Sequence, residues 1–97
     1  MSGYLIAKVE VTDPAGYDEY RQKVPAVIAK FGGRFLVRGG EVDSREGDFG
    51  NRRLVVLEFP SLKAAQNFYD SPEYQPLLKL RLASAKAELI LAEGYSP

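Results

Sequence analysis

From Tyr4 to Val11 apolar side chains fall on alternate positions, with Leu5, Ala7, Val9 and Val11 on one face and Tyr4 and Ile6 on the other, which predicts a strand. Asp13-Pro14 then marks a helix start, because Asp13 can cap free amides and Pro14 suits the first helical position. Tyr17, Tyr20, Val24, Val27, Ile28 and Phe31 follow at helical spacing. Pro25 is expected to kink that helix and Gly32-Gly33 to end it, since glycine enters the left-handed region cheaply. Arg34 to Arg38 reads as a second strand. The polar stretch from Gly39 to Asn51 carries four of the nine glycines and reads as a long hairpin excursion, with Glu41 to Arg45 expected to continue the strand past a glycine bulge. Arg53 to Phe59 is the third strand. Pro60-Ser61 opens a helix with Leu62, Ala65, Phe68 and Tyr69 on its buried side. Ser71-Pro72 opens another, with Tyr74, Leu77, Leu78, Arg81 and Leu82 on one face. Ala87 to Ala92 is the last strand, and Gly94 closes it.

The order is βαββαβ with the second helix split in two. That order predicts an α+β, ferredoxin-like protomer: a four-stranded antiparallel sheet with its helices on one face. Residues 1–97 are expected to form one domain, because a chain of 97 residues has no room for two cores. Helices cover only one sheet face, so a solvated second face should show polar residues in alternation. Instead the third strand carries Leu54-Val55-Val56-Leu57 and the fourth Leu89-Ile90-Leu91, while Tyr4 and Ile6 back the first. An apolar second face of several hundred Å² is rare on a monomer. A symmetric partner sheet is the simplest cover, so a homodimer is expected. The alternative is a monomer with its C-terminal tail across the face, although only a few residues follow Gly94.

Composition narrows the chemistry more than it names it. Thirteen basic and thirteen acidic residues cancel, so no net field draws the chain toward nucleic acid or an anionic membrane. With no cysteine there is no disulfide, thiolate nucleophile or zinc-thiolate site, and with no histidine there is no imidazole base or ligand. No metal site or cofactor is expected. No signal-like segment precedes the first strand and no apolar run reaches spanning length, so a cytoplasmic location without membrane insertion is the expectation. The βαββαβ order is shared with RNA-recognition domains, which stack bases on aromatics of the third strand. Here that strand is aliphatic and ends in Glu58, which disfavours RNA binding.

Strand periodicity places Arg34, Leu36 and Arg38 on one side of strand two, opposite Phe35 and Val37, and Glu58 near Arg34 across the hairpin. Two arginines and a carboxylate among aliphatic residues suit a small-molecule pocket, and the planar guanidinium fork suits a carboxylate or enolate-like oxygen pair. The competing reading is a structural ion pair within a dimer interface. Tyr17, Tyr20, Tyr69 and Tyr74 form a second set, which reads as amphipathic core or as pocket wall. Bringing a phenol from about 10 to neutrality requires about 4 kcal/mol of special environment. Raising a glutamate from about 4.3 requires less, which makes Glu58 the better base candidate. Arg81 on an apolar helix face reaches a pocket mouth or pairs with an acid. Asp43, Glu46 and Asp48 lack calcium-loop spacing, and Arg38-Gly39-Gly40 lacks the lysine and helix start of a phosphate loop.

The chain resembles the domain of unknown function 1330 family of the dimeric α+β barrel superfamily. The resemblance runs nearly end to end. It rests on Asp13-Pro14 with Tyr17 and Tyr20, Gly32-Gly33-Arg34, Arg38-Gly39-Gly40, Glu46-Gly47, Glu58-Phe59-Pro60-Ser61, Phe68-Tyr69, Ser71-Pro72 with Tyr74, and Arg81. Family members often carry tryptophan where this chain has Phe68. The resemblance implies a ferredoxin-like protomer and a face-to-face homodimer, and it implies no activity. Three functions stay open. One is a dimer binding a small oxygenated organic acid or phenol in a polar pocket between helices and sheet face, through Arg34, Arg38, Arg81, Tyr20, Tyr69 and Tyr74. The second is a cofactor-independent, monooxygenase- or isomerase-like enzyme on such a substrate, with Glu58 as base. The third is a non-catalytic dimeric interaction module.

Overall fold

The computed structural model describes residues 1–97. The elements are β1 (Gly3–Val11), α1 (Pro14–Lys30), β2 (Arg34–Arg38), β3 (Arg53–Phe59), α2 (Leu62–Asp70), α3 (Gln75–Ser84) and β4 (Ala85–Glu93). The four strands form one antiparallel sheet in the order β2-β3-β1-β4. With the helices on one face, this is the ferredoxin-like α+β arrangement. No helix is long and apolar enough to cross a membrane.

Local chemistry explains the boundaries. Pro14 occupies the start of α1, but the Asp13 side chain caps nothing there; its backbone carbonyl accepts from Tyr17 N–H instead. The helix runs on through Pro25 to Lys30 as a single element. It ends as expected: Gly32 takes φ +79°, Gly33 N–H donates to the Ile28 carbonyl, and Gly32 N–H donates to that of Ala29. Ser61 Oγ accepts from Ala64 N–H at 3.0 Å and starts α2. Ser71 is buried, and its hydroxyl donates to the Phe68 carbonyl and accepts from Tyr74 N–H, so the chain turns between α2 and α3. Gly40 to Arg52 contains no strand, so the expected continuation over Glu41 to Arg45 is absent. Leu82 is 64% exposed rather than on the packed face of α3.

The helix side of the sheet carries the core. Leu5, Ala7 and Val9 of β1 and Leu57 and Phe59 of β3 are buried there against Val24, Ile28, Ala65, Phe68 and Leu77. Each of the larger of these side chains, valine to phenylalanine, contributes about 1.5–3 kcal/mol by leaving water. A chain of aromatic rings continues the packing from Phe59 through Phe68 to Tyr74, with centroids 5.3 and 4.5 Å apart, and on to Tyr20 at 6.4 Å.

The open face is ordered in rows by the strand register. Val37, Val56, Ile6 and Ile90 form one apolar row across all four strands. On one side of it lies a row of Arg34, Glu58, Tyr4 and Ala92, and on the other Leu54, Lys8 and Glu88. Ile90 is 58% exposed, so the middle row meets solvent in the protomer.

Candidate functional site

The pairing of β2 with β3 decides where the arginines go. Arg34 stands opposite Glu58 and Phe35 opposite Leu57, but Val37 stands opposite Val56 and Arg38 opposite Val55. Leu36 is the extra residue of a β-bulge. One added residue reverses the facing of everything after it. Arg38 therefore lies on the helix side with Val55, and Val37 lies on the open face. This corrects the uninterrupted alternation that grouped Arg38 with Arg34 and Leu36.

A cavity of about 40 Å³ lies on the helix side, between α1, α3 and the sheet. Its walls are apolar, with Val9, Val24, Phe35, Val55 and Leu89 among them. Seven polar residues break that lining: Tyr17, Tyr20 and Arg21 from α1, Arg38 from β2, Arg53 from β3, Tyr74 before α3 and Arg81 within it. Exposure orders them. Arg38 is exposed, Arg21, Arg53 and Tyr20 are half-buried, and Tyr17, Tyr74 and Arg81 are buried. The first group marks the mouth and the last the floor.

At the floor, Tyr20 Oη and Tyr74 Oη are 2.8 Å apart, and Arg81 Nε donates to Tyr74 Oη over 3.4 Å. Tyr74 accepts from the guanidinium, and either of the two hydroxyls can donate to the other, so Tyr20 can give its proton to Tyr74 or to another acceptor in the cavity. Burial, and then the Tyr74 hydroxyl beside it, push the Tyr20 phenol above its ordinary value, so Tyr20 is a neutral donor and not a phenolate base. Burial opposes the charge on Arg81, but Tyr74, Tyr20 and Tyr69 outweigh it and hold its pKa above the ordinary value. At the mouth, Arg38 Nη2 donates to the Arg21 carbonyl at 2.8 Å, and its guanidinium lies 4.3 Å over the Phe35 ring. The Arg53 guanidinium lies 5.6 Å over Tyr17.

Glu58 and Arg34 are elsewhere. Both face the open side, where Arg34 Nε and Nη2 approach Glu58 Oε1 at 2.8 and 2.7 Å, while Ser2 Oγ and Tyr4 Oη donate to Oε2 at 3.0 and 3.3 Å. The Arg34 guanidinium, then the Ser2 hydroxyl, outweigh partial burial and hold the Glu58 carboxyl below its usual value. A base raised toward neutrality was expected here; the shift runs the other way because both oxygens already accept charge-stabilising hydrogen bonds. Tyr69 packs 5.6 Å from the Tyr74 ring and does not line the cavity.

Of the expected site residues, the cavity thus unites Tyr20, Tyr74, Arg38 and Arg81 and leaves out Arg34, Glu58 and Tyr69. It adds Arg21 and Arg53. Arg53 was legible, since it shares the parity of Val55, Leu57 and Phe59 on β3. Arg21 was less so, lying one position past Tyr20 on α1. No cluster of side chains suited to a metal ion is present. In the glycine-rich loop Asp43 pairs with Arg45, and Asp48 accepts from Gly50 N–H.

Fold and site together define a ferredoxin-like protein with an arginine- and tyrosine-lined cavity beneath its helices. The chain belongs to the family described as domain of unknown function (DUF1330), whose model matches residues 2–95. No curated protein matches it. Among solved structures it is similar to a protein of unknown function from Rhodopseudomonas palustris, at 18% identity and TM-score 0.78, over 99% of this chain and 84% of that one. It is similar to SnoaB, a cofactor-independent oxygenase from Streptomyces nogalater, at 16% identity and TM-score 0.62, over 99% and 95% of the two chains. A dimeric ferredoxin-like protein of unknown function from Jannaschia sp. CCS1 matches at 14% identity and TM-score 0.66, over 97% and 100%. At these identities the likeness is one of fold.

Proposed function

We propose that this protein is a homodimer that binds a small oxygenated organic acid or phenol in the cavity between helices and sheet. The observation that carries the reading is the Tyr20–Tyr74–Arg81 chain at the floor of an otherwise apolar cavity. A few convergent polar groups in an apolar recess are the usual makeup of a small-molecule site. A core that only needed filling would have no use for a buried guanidinium on α3. Tyr20 offers a proton to a ligand oxygen, Arg81 fixes Tyr74, and Arg38 stands at the entrance. Dimerisation through the open face is supported by the apolar row of Val37, Val56, Ile6 and Ile90 and by the dimeric fold neighbour. Arg34 and Glu58 flank that row, so we assign their pair to the interface.

Binding is favoured over catalysis by what lines the cavity. It has no carboxylate, and its half-buried phenol, Tyr20, is held protonated. Chemistry there would have to be driven by the substrate itself. Fold likeness to a cofactor-independent oxygenase keeps that second reading in view.

Native mass spectrometry of the protein as purified, joined to amide-shift titrations with a panel of hydroxy acids, keto acids and phenols, tests the proposal. A dimer mass and ligand shifts clustered on Tyr20, Val55 and Tyr74 are expected. A monomer would remove the interface, and a panel without any cavity shift would remove the binding reading.

A further inference from the structure

We infer that Arg21, Arg38 and Arg53 form a carboxylate-recognition subsite at the cavity mouth, and that the ligand is a short-chain hydroxy- or keto-carboxylate whose second oxygen reaches Tyr20. This rests on the reading that the cavity is a ligand site, and it chooses the acid over the phenol.

Charge is the first ground. Four arginines line the cavity and no acidic side chain does, within a chain whose formal net charge is zero. The nearest acid to any of the three mouth arginines is Asp18, 3.7 Å from Arg21 and more than half exposed. Three guanidinium groups that share one exposed carboxylate, on Arg21 alone, favour an anion between them, more strongly as water is excluded.

The second ground is which atoms lack a partner. Arg21 Nε and Arg53 Nε are both buried and have no hydrogen-bond partner. A buried N–H without an acceptor is costly, so such groups are rare. The Nε edge of a guanidinium, paired with its neighbouring Nη, is one of the forks that match the two oxygens of a carboxylate. Both residues carrying this unpaired edge line the same cavity.

Third, the backbone departs from regularity where it brings these groups in. The Leu36 bulge turns Arg38 to the helix side. Shortly after it, Gly39 takes φ +71°, and a Cβ there would collide with the Arg53 guanidinium. Glycine at this position leaves the space that the Arg53 guanidinium fills.

Size sets the class. At about 40 Å³ the cavity is far below the roughly 150 Å³ that accepts a benzene ring. A short acid with its carboxylate among the mouth arginines places only a hydroxyl or keto oxygen inside, toward Tyr20, which matches the order of polar groups.

The test is an amide-shift titration of the full-length protein with lactate, with lactamide as its uncharged isostere, and with phenol and inorganic phosphate. Lactate is expected to shift residues around the mouth and to bind at least tenfold more tightly than lactamide, phenol or phosphate. Arg38→Met and Arg53→Met should each bring the lactate-to-lactamide ratio close to one, with unchanged melting curves establishing that the variants fold. The wild-type comparison decides the matter even if a variant does not fold. Lactamide or phenol binding in the cavity as tightly as lactate would overturn the carboxylate subsite while leaving a ligand site. Preference for phosphate would overturn the ligand class. The absence of any cavity shift with every probe would overturn the subsite together with the binding reading beneath it.

Discussion

Arg34 and Arg38 stand at the two ends of one five-residue strand, yet they lie on opposite faces of the sheet. The Leu36 bulge separates them and divides the charged residues between two tasks. Arg34 joins Glu58 on the open face, and Arg38 joins Arg21 and Arg53 at the cavity.

Deleting Leu36 should therefore restore simple alternation without moving either neighbour: Val37 stays opposite Val56 on the open face and Arg38 stays opposite Val55 on the helix side. Because Arg38 keeps its place at the cavity, carboxylate binding should fall by less than the roughly tenfold that losing a charge-assisted contact of about 1.5–3 kcal/mol would cause. Circular dichroism would establish that the sheet survives, and a tenfold or larger loss in the lactate titration would show that the bulge itself shapes the site.

Tyr74→Phe should be more damaging than Tyr20→Phe. Tyr74 is 1% exposed, and its hydroxyl is the partner of both Tyr20 and Arg81. Removing it leaves a buried guanidinium edge without an acceptor, at a cost of about 1–3 kcal/mol, whereas Tyr20→Phe leaves the Arg81 contact in place and should cost about 1 kcal/mol. Urea unfolding of the two variants would order them.

Glu58 should make part of the protein's acid sensitivity. Its carboxyl is held below the ordinary value of 4.5, chiefly by Arg34, so the unfolded chain takes up this proton first. The contribution is complete above about 4.5 and fades as pH falls through the folded value. The melting temperature of Glu58→Gln should lie below that of the wild type at neutral pH and converge with it in acid. Parallel melting curves from pH 7 down to strong acid would show that Glu58 contributes no such linkage.

Gly39→Ala tests the left-handed turn after the bulge. Alanine at φ +71° costs about 1–2 kcal/mol, and the Arg53 guanidinium must swing away from the new methyl. Lower stability with weakened lactate binding is expected, measured by thermal melting and titration.

Val56→Asp places a carboxylate in the middle of the apolar row on the open face. Burying it unpaired would cost several kcal/mol, so dimer dissociation should become more than about a hundredfold easier, as read by light scattering. Amide shifts around Tyr74 should not move.

Much of the fold was legible because the signals that make it are local and repeated. Leu5, Ala7 and Val9 announce a strand face wherever they occur, and Asp13-Pro14 and Gly32-Gly33 bracket α1 by backbone preferences alone. The order βαββαβ then leaves little choice of topology. The site was legible only in part, because its placement turns on a single inserted residue. Nothing in Arg34-Phe35-Leu36-Val37-Arg38 marks Leu36 as extra, since an exposed leucine and a paired one look alike in sequence. Alternation therefore sent Arg38 to the face of Glu58. Arg53 obeyed alternation throughout and was missed for another reason: an arginine at the start of a strand is ordinarily solvated. Glu58 was mistaken for a base although Arg34, the chief influence on its carboxyl, was already placed beside it; the further donors Ser2 and Tyr4 lie far away along the chain and could not be foreseen.

The sheet's two borders have a consequence for how large an assembly can become. β4 runs nine residues along one rim, with its outer amides and carbonyls unmatched, and β2 closes the other rim with only five. Long bare rims invite further strands to add, and such growth has no natural end. Here the long rim carries Lys86, Glu88 and Glu93, and the short one begins and ends in arginine. Bringing charged rims together is unfavourable, whereas covering one apolar face with its twin uses that face up on both copies. Association by that route stops at two and gives a closed particle rather than a fibre.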